Sequence, residues 1–286
     1  MNSTPESPTP WVVDTTAERF ELDVIERSKV TPVVVDFWAA WCQPCRLLAP
    51  LLERLATELG GRFVLVRANT DELPQIAAQF QVQSIPAVFA LVDGQVVDFF
   101  QGVLSESQLR TWLDRVLLAG TLVDAQAQES TRPSESERLY RQVLEQTPGH
   151  AQAKTGLARV LLDQGRSAES QALIEELEKR GFLEPEAEKV KAAITLASLG
   201  TADVAALRAA AAADPADLTA QLRLAEALAG QHAFEEALEL CLQLVAQDKE
   251  GVGEQARQVM VGVFHVLPAD SELTRSYRRR LSTLLF

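Results

Sequence analysis

Two patterns of hydrophobic and polar positions divide the chain into two parts. The first part carries short apolar runs that are typical of buried strands, among them residues 33–38 and 96–100, and these runs alternate with amphipathic segments such as 106–118. This alternation predicts an α/β domain over residues 16–119. A polar, proline-containing tail precedes it over residues 1–15, and we expect that tail to be disordered.

The second part of the chain has a helical period throughout. After a polar stretch over residues 120–133, interpreted as the domain linker, apolar residues recur three and four positions apart and no strand pattern returns. The segments that begin at Leu157 and Leu224 resemble each other and start 67 residues apart, close to twice the period of about 34 residues expected of tetratricopeptide repeats. Residues 134–286 are therefore predicted to form a tetratricopeptide-like helical domain. An irregular helical bundle stays open as the alternative, because residues 186–213 match the repeat poorly.

Length, composition and charge narrow the class of protein. The 286 residues are too many for one small domain, and a hydrophobic content of 47% without an apolar run of the roughly 20 residues that cross a bilayer is typical of a soluble globular protein. The N-terminus has neither a basic start nor an apolar core, so we expect no secretory signal and a cytoplasmic location. The net charge of −13 argues against nucleic acid, because phosphate contacts need clustered lysine and arginine. We expect neither a nucleic acid nor a membrane among the partners.

Two of the three cysteines stand three positions apart, directly after the apolar run and at the predicted start of a helix. A sulfur at a helix N-terminus lies among unpaired backbone N–H groups whose partial positive charge favours the thiolate, so Cys42 is the predicted nucleophile. Cys45, one helical turn further on, can attack a mixed disulfide of Cys42 and release the bound substrate in reduced form. We expect the pair to be accessible. No cofactor is predicted beyond this redox-active pair.

A zinc site is the alternative interpretation, because the same spacing also holds metals. A second ligand pair is missing, since Cys241 is the only other cysteine and the three histidines are widely spaced. We therefore predict no metal. Cys241 falls on the apolar face of a predicted helix and is interpreted as an inert core residue.

A carboxylate interrupts the apolar run that leads to the cysteines. Burial without a partner raises the pKa of a carboxyl, and a raised pKa would suit Asp36 to take or give a proton while Cys45 changes state. Arg67 could instead pair with Asp36 and make it part of a structural ion pair. Both interpretations stay open.

The C-terminal segment 270–286 has the pattern of an amphipathic helix. Ser271 can cap it, with apolar side chains on one face and arginines on the other. Such a helix can close the last repeat or dock on a partner, and the apolar residues that continue to the last position favour docking. The residues predicted to bind the partner are Tyr277, Arg278, Leu281, Leu284 and Phe286.

The residues around the cysteine pair resemble the thioredoxin family. Segment 36–50, Asp-Phe-Trp-Ala-Ala-Trp-Cys-Gln-Pro-Cys-Arg-Leu-Leu-Ala-Pro, is similar to the family's active-site signature almost position for position, and the similarity covers residues 16–119. Gln43 and Arg67 depart from the family, in which glycine and lysine are usual. Because arginine keeps its charge at any ordinary pH, a proton relay through Arg67 would be altered.

The resemblance to thioredoxin implies roles for further residues. It implies a cis peptide bond at Ile85-Pro86 that faces the sulfurs and leaves the backbone of Ile85 free to pair with an extended client. It also implies that Asp36 is the buried carboxylate behind Cys45. Apart from the resemblance, the place of Trp41 beside the predicted nucleophile indicates a residue of the rim that clients touch, with a core aromatic as the alternative.

A thioredoxin-like domain followed by tetratricopeptide-like helices and a terminal Tyr-Arg-Arg-Arg-Leu-x-x-Leu-Leu-Phe resembles the bacterial chaperedoxin family (CnoX/YbbN-type) over nearly the whole chain. The resemblance implies a stress-response holdase of the bacterial cytoplasm that binds unfolding proteins without ATP, shields their cysteines through mixed disulfides and passes them to ATP-dependent foldases. The implied partners are unfolded or oxidised client proteins, a GroEL-type chaperonin, an Hsp70-type chaperone and thioredoxin reductase.

Two other functions stay open. A dedicated protein-disulfide reductase would use the helical domain to select one substrate. A plain scaffold would carry an idle thioredoxin module. Both share the predicted fold class, an α/β thioredoxin fold followed by an all-α tetratricopeptide-like domain.

Overall fold

The computed structural model describes residues 10–200 and 202–285 of the chain. The chain divides into two units, of which the first ends at Val143 and the second begins at Leu144. The predicted docking residue Phe286 and the part of the predicted tail before residue 10 lie outside the described residues. Each unit has a hydrophobic core of its own.

A five-stranded sheet forms the centre of the first unit. Its strands are β1 (Val12–Asp14), β2 (Val33–Trp38), β3 (Val64–Asn69), β4 (Ala87–Val92) and β5 (Gln95–Gln101). In the order β1-β3-β2-β4-β5, the first three strands are parallel and the last two are added antiparallel. Because helices cover both faces of the sheet, the central strand β2 is apolar along almost its whole length.

Two layers of helix cover this sheet. They are a π-helical segment (Glu21–Glu26), α1 (Cys45–Glu58), α2 (Pro74–Gln79) and α3 (Glu106–Ala127). Helix α4 (Pro133–Gln146) follows α3 in the chain and includes the last residues of the first unit and the first of the second. The face that carries Val34 packs against α1 and α3, and the face that carries Val35 packs against the π-helical segment and α2. Since α1 follows β2 after a short turn, its first residue lies at the carboxyl end of the central strand.

The predicted domain boundaries are wrong at two places. The segment Val12–Asp14, which the sequence predicts as part of the disordered tail, forms β1 because it pairs in parallel with β3. The linker expected over residues 120–133 is largely helical, since α3 continues to Ala127. Gly120 does not end the helix: a Cβ there would lie 2.7 Å from the ring of Pro32, so the glycine allows α3 to approach the chain before β2.

Helices alone form the described part of the second unit. They are α5 (Ala151–Asp163), α6 (Ser167–Glu178), α7 (Pro185–Leu199), α8 (Val204–Ala213), α9 (Leu218–Gly230), α10 (Phe234–Gln247), α11 (Val252–Val266) and α12 (Glu272–Leu285). One core joins α5, α6 and α7, and a second joins α7 with α9 to α12. Helix α8 contributes no fully buried residue and packs against the second core only through partly buried side chains.

No single helix in the described part of the chain is long and apolar enough to cross a bilayer. Helices α7 and α8 reach the required length and hydropathy only when taken together, and the chain bends by 74° between them.

The backbones of α7 and α9 meet at two glycines. A Cβ on Gly230 would lie 2.2 Å from the nitrogen of Gly200 and 2.7 Å from the carbonyl oxygen of Leu196, and backbone atoms cannot move aside as a flexible side chain does. We expect Gly230→Ala to destabilise the second unit by about 1–3 kcal/mol through overpacking. Amide hydrogen exchange in α7 and α9 measures the loss. Gly149→Ala is the control, because a Cβ at Gly149 meets nothing within 4 Å. Equal protection in the two variants would contradict the prediction.

Candidate active site

Cys42 and Cys45 form a disulfide at the start of α1. Cys42 lies in the turn after β2, where its N–H donates to the carbonyl of Ala39 over 3.1 Å, and Cys45 is the first residue of the helix. Pro44 stands between them with a φ of −63°, the angle that its ring imposes and that the first helical turn requires. The sequence Cys-Gln-Pro-Cys therefore starts the helix at the second cysteine and leaves the first in the turn.

The backbone next to Cys42 is arranged so that it would stabilise negative charge on this sulfur when the disulfide is reduced. The N–H of Cys45 donates a hydrogen bond to Cys42 Sγ over 3.2 Å. No acidic residue occupies the first turn of α1, so the partial positive charge of the helix N-terminus is not offset there. Both features favour a thiolate, which makes Cys42 the better attacking sulfur of the pair.

Both sulfurs are nearly covered in the disulfide form, so the prediction of an accessible pair is wrong for this state. Only 3% of Cys42 and 2% of Cys45 is exposed. The two side chains turn toward each other and pack with Ala39 against Trp38 and Ile85. The bonded sulfurs thus belong to a small apolar cluster instead of the surface.

Two exposed apolar side chains adjoin the disulfide along the chain. Trp41 precedes Cys42, and Leu47 lies in the first turn of α1; 67% of the first and 66% of the second is exposed. The indole N–H of Trp41 donates to the Asp71 carboxylate over 3.1 Å, which holds the ring in place. Trp41 is a predicted rim residue, whereas Leu47 and Asp71 are neighbours that the sequence does not predict. The helical period could have found Leu47, which lies outside the buried face that Leu48, Leu52 and Leu55 form. No sequence signal joins Asp71 to Trp41.

The peptide bond between Ile85 and Pro86 is cis, as the resemblance implies. Pro86 is buried and Ile85 is half-buried beside the disulfide. The Pro86 carbonyl accepts a hydrogen bond from the N–H of Gly102 over 2.8 Å, whereas no described residue makes a backbone hydrogen bond with Ile85. The N–H and C=O of Ile85 are therefore available to an extended segment of another chain.

Asp36 is a fully buried carboxylate, and neither of its oxygens accepts a hydrogen bond within the described part of the chain. It lies two residues after Val34, on the face of β2 that packs against α1 and α3. Burial raises the pKa of Asp36 from 3.8 to about 7, while the charge of Arg67 lowers it and that of Glu53 raises it further. Near neutral pH this group can both accept and donate a proton.

Arg67 does not pair with Asp36, so the interpretation as a structural ion pair is wrong. Its guanidinium donates to Asp14 over 2.8 and 3.0 Å and to Glu53 over 2.6 Å, and it lies 5.6 Å from the centre of the Trp38 ring. Asp14 and Glu53 are nearer the surface, where a guanidinium keeps its hydration. Among the residues that the structure describes, Asp36 has no direct cationic partner.

The third cysteine takes no part in this site. Cys241 is buried in the core of the second unit, and burial raises the pKa of its thiol to about 12. Within residues 10–200 and 202–285, no three His, Cys, Asp or Glu side chains come together as a metal site. In the disulfide state neither Cys42 nor Cys45 offers a thiolate to a metal.

The terminal helix α12 packs into the second unit, so the prediction that Tyr277 and Leu281 dock on a partner is wrong for this structure. Both side chains are buried, and the hydroxyl of Tyr277 donates to Glu239 over 2.9 Å. Leu284 is half-buried against the same core. The apolar stripe covers the end of the helical stack, as a cap does. Of the predicted partner-binding residues, Arg278 is the exposed one in the described part of α12.

Comparisons with known proteins agree with this division. The Thioredoxin family profile matches residues 11–115, and two Tetratricopeptide repeat profiles match residues 127–194 and 197–286. Thioredoxin 1 of Chlorobaculum tepidum is 44% identical over 89 residues, which are 31% of this chain and 88% of that protein. Thioredoxin 1 of Synechococcus elongatus is 41% identical over 34% of this chain and 90% of its own length. Thioredoxin C-2 of Corynebacterium nephridii is 38% identical over 36% of this chain and 94% of its own length.

The sheet order and the disulfide at the start of α1 define a thioredoxin-fold thiol–disulfide protein. The chain belongs to the thioredoxin family through its first unit, and the tetratricopeptide repeats that follow give it a CnoX/YbbN-type architecture. The predicted fold class is therefore confirmed. The thioredoxin domain supports thiol–disulfide redox activity, and the repeats support protein–protein interaction.

Proposed function

We propose that the protein is a redox holdase that binds extended segments of unfolding or oxidised proteins without ATP and exchanges disulfides with them through Cys42 and Cys45. The observation that carries this proposal is the hydrogen bond from the Cys45 N–H to Cys42 Sγ, next to a backbone at Ile85 that has no partner among the described residues. The first feature prepares an attacking sulfur. The second offers main-chain hydrogen bonds to any extended client, whatever its sequence.

The proposed exchange reduces a client disulfide in two steps. The Cys42 thiolate attacks one client sulfur, forms a mixed disulfide and releases the other client sulfur as a thiolate, which takes up a proton. Asp36 then accepts the proton of Cys45, and the Cys45 thiolate attacks Cys42 Sγ and expels the second client sulfur, which is protonated in turn. The client gains two electrons and two protons, and the protein is left with the Cys42–Cys45 disulfide. Thioredoxin reductase is the proposed donor that returns this disulfide to the dithiol.

The holding and transfer of clients are assigned to surfaces outside the disulfide. Trp41 and Leu47 supply exposed apolar area beside the sulfurs, and stacked tetratricopeptide repeats provide extended surfaces for other proteins. The exposed side of α12 carries Arg275, Arg278 and Arg279 in a chain of net charge −13. We assign contact with a GroEL-type chaperonin and an Hsp70-type chaperone to this basic side. The proposed location is the bacterial cytoplasm, where thiols are kept reduced.

A dedicated protein-disulfide reductase is the second candidate. It is favoured by the match of the first unit to 88% of the length of a thioredoxin at 44% identity. In that case the repeats would select one substrate, and the protein would not slow the aggregation of unrelated proteins.

Trapping of clients tests the exchange. In Cys45→Ala, Cys42 can form a mixed disulfide that nothing in the pair resolves, so we expect many unrelated proteins to be captured from oxidatively stressed bacteria and released by dithiothreitol. The double variant Cys42→Ala/Cys45→Ala is the control and should capture none. Capture of one protein would favour the dedicated reductase, and capture of none by Cys45→Ala would rule out exchange with clients.

Light scattering tests the holding. We expect the protein, without ATP, to suppress aggregation of a thermally denatured client enzyme at near-equimolar ratio. The variant Cys42→Ala/Cys45→Ala should retain this effect toward a client without cysteines, because apolar contacts carry the binding. Unchanged aggregation in the presence of the wild-type protein would remove the holdase from the proposal.

A further inference from the structure

Three charged side chains lie in one row across the sheet of the first unit. In the strand register, Asp14 of β1 is opposite Arg67 of β3, and Arg67 is opposite Asp36 of β2. Both pairings are parallel, so the three side chains leave the sheet on the same face, the one that α1 and α3 cover. Neighbouring strands are about 4.8 Å apart, so Arg67 has a carboxylate within reach on either side.

Arg67 uses only one of these two carboxylates. Its guanidinium turns to Asp14 and is held from a second direction by Glu53 of α1, with hydrogen bonds of 2.6 to 3.0 Å. The side chain of Asp14 is 67% exposed, whereas Asp36 is fully buried. A pair at the wet edge of the sheet avoids the desolvation that a buried pair with Asp36 would require.

The orientation of Arg67 decides whether Asp36 has a cationic partner. From β4, Asp36 faces Val88, and the core side chains of α3 on this face are apolar. From α1 it faces the charge of Glu53, and Cys45 of the same helix titrates only in the reduced protein. Arg67 is thus the cation whose charge acts on this carboxyl. Because an arginine keeps its proton at any ordinary pH, only its position can vary.

We propose that Asp14 and Glu53 are positioning residues that hold the guanidinium of Arg67 away from Asp36 and so keep Asp36 able to exchange a proton with Cys45. A carboxyl that pairs directly with arginine titrates about 1–3 pH units lower than it does without that partner. Such a pair would keep Asp36 ionised and remove its capacity to donate a proton. The inference deepens the proposed function, since the proton exchange serves the thiol chemistry described there.

The variant Asp14→Asn tests this positioning in the full-length protein. Besides burial, the charges of Arg67 and Glu53 act on the pKa of Asp36, so we expect loss of the Asp14 charge to act on Asp36 through the release of Arg67. Aspartate-selective ¹³C NMR follows the titration of the Asp36 carboxyl, which is assigned by its loss in Asp36→Asn. We expect the midpoint to fall by about one pH unit or more.

Two further variants separate this mechanism from a general charge effect. In Asp14→Asn/Arg67→Met the fall should disappear, because the cation that would move is gone. Asp98→Asn is the matched control: Asp98 is also a strand carboxylate paired with an arginine, Arg115, over 3.1 Å, and its removal should leave the midpoint unchanged.

An unchanged or higher midpoint in Asp14→Asn, or a fall that persists without Arg67, would overturn the inference. The titration is carried out on the disulfide form without client or reductant. Failure of Cys45→Ala to trap clients would therefore count against the proposed function. It would not change the titration midpoints of Asp36, from which the role of Asp14 is judged.

Discussion

Replacing Asp36 with asparagine is expected to make the first unit more stable by roughly 4 kcal/mol at about pH 8 and by almost nothing below about pH 4. Burial raises the pKa of this carboxyl from 3.8 to about 7, so between these values the folded protein holds a proton that the unfolded chain has released. The stability of the wild type therefore falls as the pH rises through this range. Above this pH range, the folded wild type carries a buried carboxylate that no described residue pairs with, whereas asparagine is neutral at every pH. The variant is therefore the more stable protein at high pH.

Urea unfolding followed by tryptophan fluorescence measures this difference in the first unit alone, because all four tryptophans lie there. Asp23 provides a matched control, since it is as deeply buried but accepts hydrogen bonds from Thr15 and Arg19. Asp23→Asn should lower the stability by about 1–3 kcal/mol. A gain that does not depend on pH, or a gain in both variants, would show that the charge of Asp36 is not the cause.

Features that depend on local pattern could be predicted from the sequence. A run of six residues, five of them apolar, that stands three residues before Cys-Gln-Pro-Cys is sufficient to predict a buried strand, a turn and a helix start in that order. The structure has β2 and α1 at these places. Asp36 could be singled out from the same pattern, because it is the one charged residue in an otherwise apolar run. The helical period likewise predicts that the second unit is all helical, and helices α5 to α12 form its two hydrophobic cores.

Features that depend on which elements meet could not be predicted in this way. β1 becomes a strand only through its pairing with β3, and the short run Val12–Asp14 has no strand signal strong enough alone. From the sequence, Gly120 is typical of a helix end, and only the structure shows that this glycine is needed for close contact with Pro32. Arg67 has three carboxylates in its neighbourhood, and only the register of the sheet and the place of α1 determine which of them it binds.

The burial of Cys42 and of the apolar face of α12 also depends on which elements meet in the fold. Reactivity needs access and so predicts an exposed thiol, but in the disulfide form Cys42 and Cys45 pack with Ala39 against Trp38 and Ile85. An apolar stripe at the chain end was expected to dock on a partner, yet the open end of a helical stack offers the nearest apolar surface. In both cases tertiary packing, which the local sequence pattern does not contain, determines whether the side chain is exposed.

Loss of either cysteine of the pair is expected to abolish turnover, but in different ways. In Cys42→Ala the attacking sulfur is gone, and we expect the rate of reduction of a disulfide substrate to fall by roughly a thousandfold or more. Cys241 cannot replace it, because burial raises the pKa of that thiol to about 12, which leaves about one thiolate in 10⁵ near pH 7. In Cys45→Ala the first attack should still occur, so the reduced variant should release one client thiol per protein and then stop.

A fluorescent disulfide substrate, followed from the first turnover with excess thioredoxin reductase and its reductant but without a free small-molecule thiol, distinguishes these outcomes. Cys241→Ala serves as the control and should change the rate by no more than about twofold, since a thiol that is protonated and buried contributes no attack. Sustained turnover in Cys45→Ala would show that an external thiol resolves the mixed disulfide as fast as the partner cysteine does. In that case the second sulfur would serve to form the resting disulfide, and the division of roles along Cys-Gln-Pro-Cys would have to be abandoned.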